Sequence, residues 1–198
     1  YRQVDAQMIH DQDRSGWFGA SDTGIIMRRW DTDTFYKWWL EKLGIERSTY
    51  TNKYMAAGTA YEGRVLDYLG IEKRDRQIRI PKYRIRVNLD GETRDTIHEV
   101  KTHKDEYKLS VGHWGQAQVE MFAAKKELVI NSYRMTDAEY ANFFLTIDPK
   151  RLREHPVPYD YHWITRKYLP RIVVLCKSLK NGEMPSLKDV PRLVIPEC

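Results

Sequence analysis

Residues Tyr83 to Asp90 alternate strictly: Tyr83, Ile85, Val87 and Leu89 are apolar, and Arg84, Arg86, Asn88 and Asp90 are polar. Successive strand side chains point to opposite faces, so this period of two predicts a half-buried strand. Gly91-Glu92-Thr93-Arg94-Asp95 is polar, opens with glycine and is expected to turn the chain. Residues 96–102 then read as a second strand, the hairpin partner of the first. A hairpin fixes which residues share a face. Asp90 falls on the polar face with Arg84 and Arg86. Glu99 and Lys101 are two apart and share a face. The hairpin can therefore gather Asp90, Glu99 and Lys101 at one end of a sheet.

The flanking sequence predicts helices over 33–43, stopped by Gly44, and over 53–69, stopped by Gly70. A third helix is expected over about 110–127. A fourth spans 161–180, and Pro170 should kink or break it. Residues 128–133 and 141–147 read as further strands. Trp38 and Trp39 are read as core. Helices beside a small mixed sheet give an α/β or α+β class. With 198 residues and no repeat or linker, one domain over 1–198 is expected.

The charge is uneven. There are 33 Lys and Arg against 28 Asp and Glu, a net charge of +5. Seven of the basic residues lie between Lys73 and Arg86 with one acid, Asp75, among them. A phosphate backbone would be attracted there. The longest apolar run has five residues, 172–176, far below the roughly 20 of a membrane span. Two cysteines exclude a disulfide framework and a four-thiolate iron–sulfur cluster. They suit a reducing cytosol, and no secretory leader is read at the start.

Two carboxylates and a lysine in one cluster carry a specific chemistry. Carboxylate oxygens suit Mg²⁺. The metal would polarise a phosphoryl oxygen and acidify its bound water. The lysine would orient that water or stabilise charge developing on the phosphate. Glu62, on the preceding helix, is a candidate third carboxylate. The competing reading is a surface hairpin with solvated charges. Likewise, Ser21 and Asp22 suit a plain helix N-cap. His98 and His113 are read as structural or surface residues.

Asn88-Leu-Asp-Gly91 followed by His98-Glu-Val-Lys-Thr102 resembles the PD-(D/E)XK nuclease core. More narrowly, it resembles the YqaJ/lambda-exonuclease branch of viral recombination nucleases, also called alkaline exonucleases. Gly19-Ala-Ser-Asp22, Gly58-Thr-Ala-Tyr-Glu62, His113-Trp-Gly-Gln-Ala-Gln-Val119 and Phe144-Leu-Thr-Ile-Asp-Pro149 resemble the family's other segments, in the family's order.

The resemblance implies a restriction-endonuclease-like fold, a central mixed sheet flanked by helices. It implies Asp90, Glu99 and the Val100 backbone carbonyl as ligands of Mg²⁺, with Mn²⁺ able to substitute. Lys101 would be the catalytic lysine, and Glu62 would arrange the metal and its water. Arg14, Ser21 and Gln116, with Asn88 at the edge, would bind a 5′-phosphate. Met55 would be the wedge parting the duplex end, with Lys53 contacting the entering strand. Arg84 and Arg86 would face DNA. The implied activity is 5′-to-3′ digestion of double-stranded ends, leaving 3′ single strands. Implied too are a ring-shaped homotrimer, a single-strand-annealing partner protein and a phage or prophage origin in a bacterial cytosol. The alternatives are an endonuclease on the same core and a catalytically silent DNA-binding module.

Overall fold

A computed structural model describes residues 14–46 and 52–191. In chain order its main elements are α1 (Thr23–Ile26), α2 (Asp33–Lys42), α3 (Lys53–Tyr68), β1 (Lys73–Ile80), β2 (Ile85–Glu92) and β3 (Thr96–His103). There follow α4 (Val111–Ala124), β4 (Glu127–Arg134), α5 (Asp137–Ala141) and β5 (Leu152–Val157). The last, α6, is one helix in three stretches, Tyr161–Trp163, Ile164–Tyr168 and Leu169–Asn181. The described residues form two compact units: 14–46, 79–86 and 161–191 in the first, 52–78 and 87–160 in the second.

The sheet runs β1-β2-β3-β4-β5. β2 pairs antiparallel with β3, β3 parallel with β4, and β4 antiparallel with β5. The parallel step is made by α4, a helical crossover between β3 and β4. This is the mixed sheet with flanking helices that the sequence predicts.

In the first unit the core is aromatic. Phe18, Trp30, Phe35, Trp38 and Trp39 are buried, with neighbouring rings such as Phe35 and Trp38 5.3 Å apart. Thr32 caps α2 by accepting the Phe35 N–H at 3.2 Å, and Gly44 ends it at φ +74°. Buried Asp22 accepts from Trp38 Nε1 (3.0 Å), Gly19 N–H (2.7 Å) and Lys42 Nζ (2.6 Å). Asp22 is therefore a structural tie of this core. Pro170 does not break α6. The helix widens into a π turn over Ile164–Tyr168, and the proline enters near the start of the next α-helical stretch. The wider turn absorbs the missing N–H.

In the second unit, Ala57, Tyr61, Val65 and Leu66 of α3 pack with Ile71, Val100, Tyr133 and Met135. Tyr61 and Tyr133 stack at 5.7 Å. Gly91 lies inside β2, and the turn falls after it. Its role is close approach: an added Cβ would sit 2.8 Å from Leu66 Cδ2 and 2.9 Å from Ile71 Cγ2. The glycine lets α3 lie directly over the strand beside Asp90.

Three strand expectations change. β2 is more buried than a period-two strand predicts, and among its polar residues Asn88 alone is exposed. Arg86 is buried, and beside the Phe18–Ile85 bridge its backbone N–H donates to Phe18 O at 2.9 Å. Residues 141–147 form no strand. Thr136 and Glu139 build a capping box that starts α5, and Asn142 Oδ1 then accepts the Phe144 N–H at 3.0 Å and turns the chain. The fifth strand is β5, which carries Pro156 and lies at the sheet edge, where proline is tolerated.

Candidate active site

β3 sets Glu99 and Lys101 on one face, as the spacing requires, and Lys101 Nζ donates to Glu99 Oε1 at 2.6 Å. The β2–β3 register pairs Gly91 with His98 and Glu92 with Ile97. One step further along that register, Asp90 comes opposite Glu99. Asp90 Oδ2 accepts the Val100 N–H at 2.8 Å, so the carboxylate is fixed against the backbone of its neighbour strand. α4 adds Gln116, whose Nε2 donates to Glu99 Oε1 at 2.6 Å and whose Oε1 accepts from Lys101 Nζ at 3.3 Å. One helical turn later, Glu120 Oε1 accepts from the same Gln116 Nε2 at 2.8 Å.

The cluster is electrostatically tense. Burial, then Glu99 and Glu62, push the Asp90 carboxyl well above the usual carboxylate range. Burial, then Glu99 and Asp75, raise Glu62, which is half-buried on α3. Burial, then Glu99, raise Glu120 strongly. Burial opposes the charge on Lys101, but Glu99, Asp90 and Glu120 together raise its pKa, so the ammonium stays protonated. Perturbed groups concentrated in one cluster mark a functional-site candidate.

Among the described residues, no three His, Cys, Asp or Glu side chains stand so as to hold a metal by themselves. Mg²⁺ takes one or two carboxylates and completes its shell with water and substrate phosphate. Asp90 and Glu99 fit that pattern, and Glu99 Oε2 is buried without a hydrogen-bond partner among the described residues, an acceptor suited to a cation.

The other residues singled out by sequence lie as follows. In the first unit Arg14, Ser21 and Arg84 are exposed, and Arg84 Nη1 donates to Gly16 O at 3.1 Å. Arg86, expected to face DNA, is buried. In the second unit Asn88 is exposed and accepts from Gln77 Nε2 at 3.1 Å. Lys53 and Met55 are exposed in the first turn of α3, behind the Asn52 cap. Of the proposed phosphate-binding residues, the structure joins Gln116 to the Asp90–Glu99–Lys101 cluster. His98 and His113 are half-buried, and burial lowers the pKa of each. Tyr107 stacks on His113 at 5.9 Å. Sequence reading missed Glu120; its signal is the four-residue spacing from Gln116, which places both on one helix face.

A scan of protein-family models and a search of curated proteins give no match to this chain. Solved structures do. An alkaline exonuclease from Laribacter hongkongensis superposes with a TM-score of 0.65 at 15% identity, covering 87% of this chain and 93% of that one. A phage-related exonuclease from Haemophilus somnus 129PT gives a TM-score of 0.60 at 14% identity, covering 84% and 94%. The class defined is therefore an α/β fold with a mixed five-stranded sheet of the exonuclease type. In particular, the chain has the fold of the alkaline and phage-related exonucleases, the fold its motifs resemble.

Proposed function

We propose that the protein is a metal-dependent deoxyribonuclease that digests double-stranded DNA ends 5′ to 3′ and leaves 3′ single strands. The observation that carries this reading is the cluster of Asp90, Glu99 and Lys101 on adjacent strands, within a fold shared with two exonucleases. Asp90, Glu99 and the Val100 carbonyl would hold Mg²⁺, which supplies Lewis-acid polarisation of the phosphate and an acidified water. Lys101, kept cationic by its carboxylates, offers N–H donors to charge developing on phosphate oxygens. Glu62, on α3, would help arrange the metal and its water. Arg14 and Ser21 are proposed contacts for the terminal 5′-phosphate, since a guanidinium pairs with phosphate as a fork. Met55 and Lys53, both exposed, are proposed contacts with the opening duplex. A homotrimeric ring, a single-strand-annealing partner and a bacterial cytosolic setting belong to the same proposal. No described helix is long and apolar enough to cross a membrane.

The test is digestion of linear and closed circular duplex, with and without Mg²⁺, using one labelled end. Loss of linear DNA from the 5′ end, only with metal and with circles intact, supports the reading. Nicked circles would indicate an endonuclease. Binding without cutting, unchanged by chelator, would indicate a silent DNA-binding module.

A further inference from the structure

We propose that Glu120 is a positioning residue for this site: it anchors the Gln116 amide, which in turn sets Glu99 and Lys101. The proposal rests on the nuclease reading for its kinetic consequence, but its structural content stands apart from that reading. The Gln116 side chain has two donors and one acceptor group, and all are engaged inside the cluster. Nε2 donates to Glu99 Oε1 at 2.6 Å and to Glu120 Oε1 at 2.8 Å, while Oε1 accepts from Lys101 Nζ at 3.3 Å. The orientation of the amide is forced. Turned over, its carbonyl oxygen would face the Glu99 carboxylate and its NH₂ would face the Lys101 ammonium.

Glu120 is what makes this arrangement one-sided. It sits one turn after Gln116 on α4, is 1% exposed, and has no ion pair with Lys or Arg among the described residues. Its Oε2 has no hydrogen-bond partner among the described residues. Burying a carboxylate this way is costly, and a methionine would fill the same space without that cost. Among the described residues, the one hydrogen bond of the Glu120 carboxylate is that which aims Gln116. A consequence concerns Gln116 itself. Its amide holds both the Glu99 carboxylate and the Lys101 ammonium.

The test compares the full chain with Glu120→Met, Glu120→Gln, Gln116→Met and the double variant. Two measurements are made: kcat and KM on linear duplex, and the NMR signals of the Gln116 NH₂ in protein labelled with ¹⁵N-glutamine. Glu120→Met keeps the volume but cannot accept a hydrogen bond. It should lower kcat about 10- to 100-fold with little change in KM, and shift the Gln116 NH₂ signals. Glu120→Gln still offers an acceptor oxygen and should recover most of the loss. The double variant should be no worse than Gln116→Met, because Glu120 acts through Gln116. A fall in melting temperature with kcat unchanged in Glu120→Met would overturn the proposal, as would a Glu120→Gln as impaired as Glu120→Met. If the wild type cuts no DNA, the nuclease reading fails, and the NMR arm decides the positioning. Gln116 signals that move in Glu120→Met support it, and signals that stay overturn it.

Discussion

Replacing Glu139 with Gln should destabilise the second unit in a way that depends on pH. Glu139 is 1% exposed yet carries a full set of donors. Tyr133 Oη donates at 2.6 Å, Thr136 N–H at 2.7 Å, Thr136 Oγ1 at 2.9 Å and Arg151 Nη2 at 3.0 Å, with Arg151 Nη1 on the second oxygen. Burial works to raise its pKa, but Arg151, Tyr133 and Thr136 outweigh it and hold the carboxyl at about 2. An unfolded glutamate titrates near its usual value, so between the two pKa values the unfolded chain binds more protons. The stabilisation is therefore complete above the unfolded pKa, and is lost as pH falls towards 2. At about 1.4 kcal/mol per pH unit the displacement corresponds to about 3 kcal/mol. Solvent around the partly exposed Arg151 screens some of this, leaving about 2 kcal/mol. Urea melts of wild type and Glu139→Gln should differ by about 1 M in midpoint at pH 7, given a slope of about 2 kcal/mol/M, and by less than half of that at pH 3. Equal midpoints at pH 7, or a gap that does not narrow at pH 3, would show that the Glu139 carboxylate does not stabilise the fold.

Three further outcomes are expected. Gly91→Ala must push Leu66 and Ile71 aside and should cost about 1–3 kcal/mol; an unchanged urea midpoint would contradict that packing. Lys101→Ala should cut the rate by at least about 100-fold with the melting curve still cooperative, and stopped assays on linear duplex measure it. Arg14→Ala should slow 5′-phosphorylated ends more than 5′-hydroxyl ends; equal slowing of both would move the phosphate contact elsewhere.

The hairpin was legible because a period of two leaves little freedom: once β2 and β3 pair, Asp90 must meet Glu99 and Lys101. Glycine stops were equally legible at Gly44 and Gly70, where positive φ is required. What local pattern could not show was cover. Arg86 alternates like a surface residue, yet it is buried on a strand whose backbone pairs with Phe18, far away in sequence. Gly91 reads as a turn signal, yet its function is set by Leu66 and Ile71 of other elements. Residues 141–147 look like a strand because Phe143, Phe144, Leu145 and Ile147 crowd together. The Thr136–Glu139 capping box and the Asn142 turn override that pattern. β1 and β5 went unread because charge and proline mask edge strands, the same features that keep edges from pairing with other chains. In the site, Glu120 was invisible as a member because its meaning depends on Gln116 facing Glu99.

The central claim is that Asp90 and Glu99 together carry metal-dependent hydrolysis of DNA. Asp90→Asn tests it most directly. The amide oxygen can still accept the Val100 N–H, so the strand pairing is kept while the charge is lost. Rates on linear duplex should be measured across a Mg²⁺ titration, with urea melts of both proteins alongside. Asp90→Asn should keep a folding stability near that of wild type and lose digestion at every Mg²⁺ concentration. Full activity in a folded Asp90→Asn protein would contradict that claim.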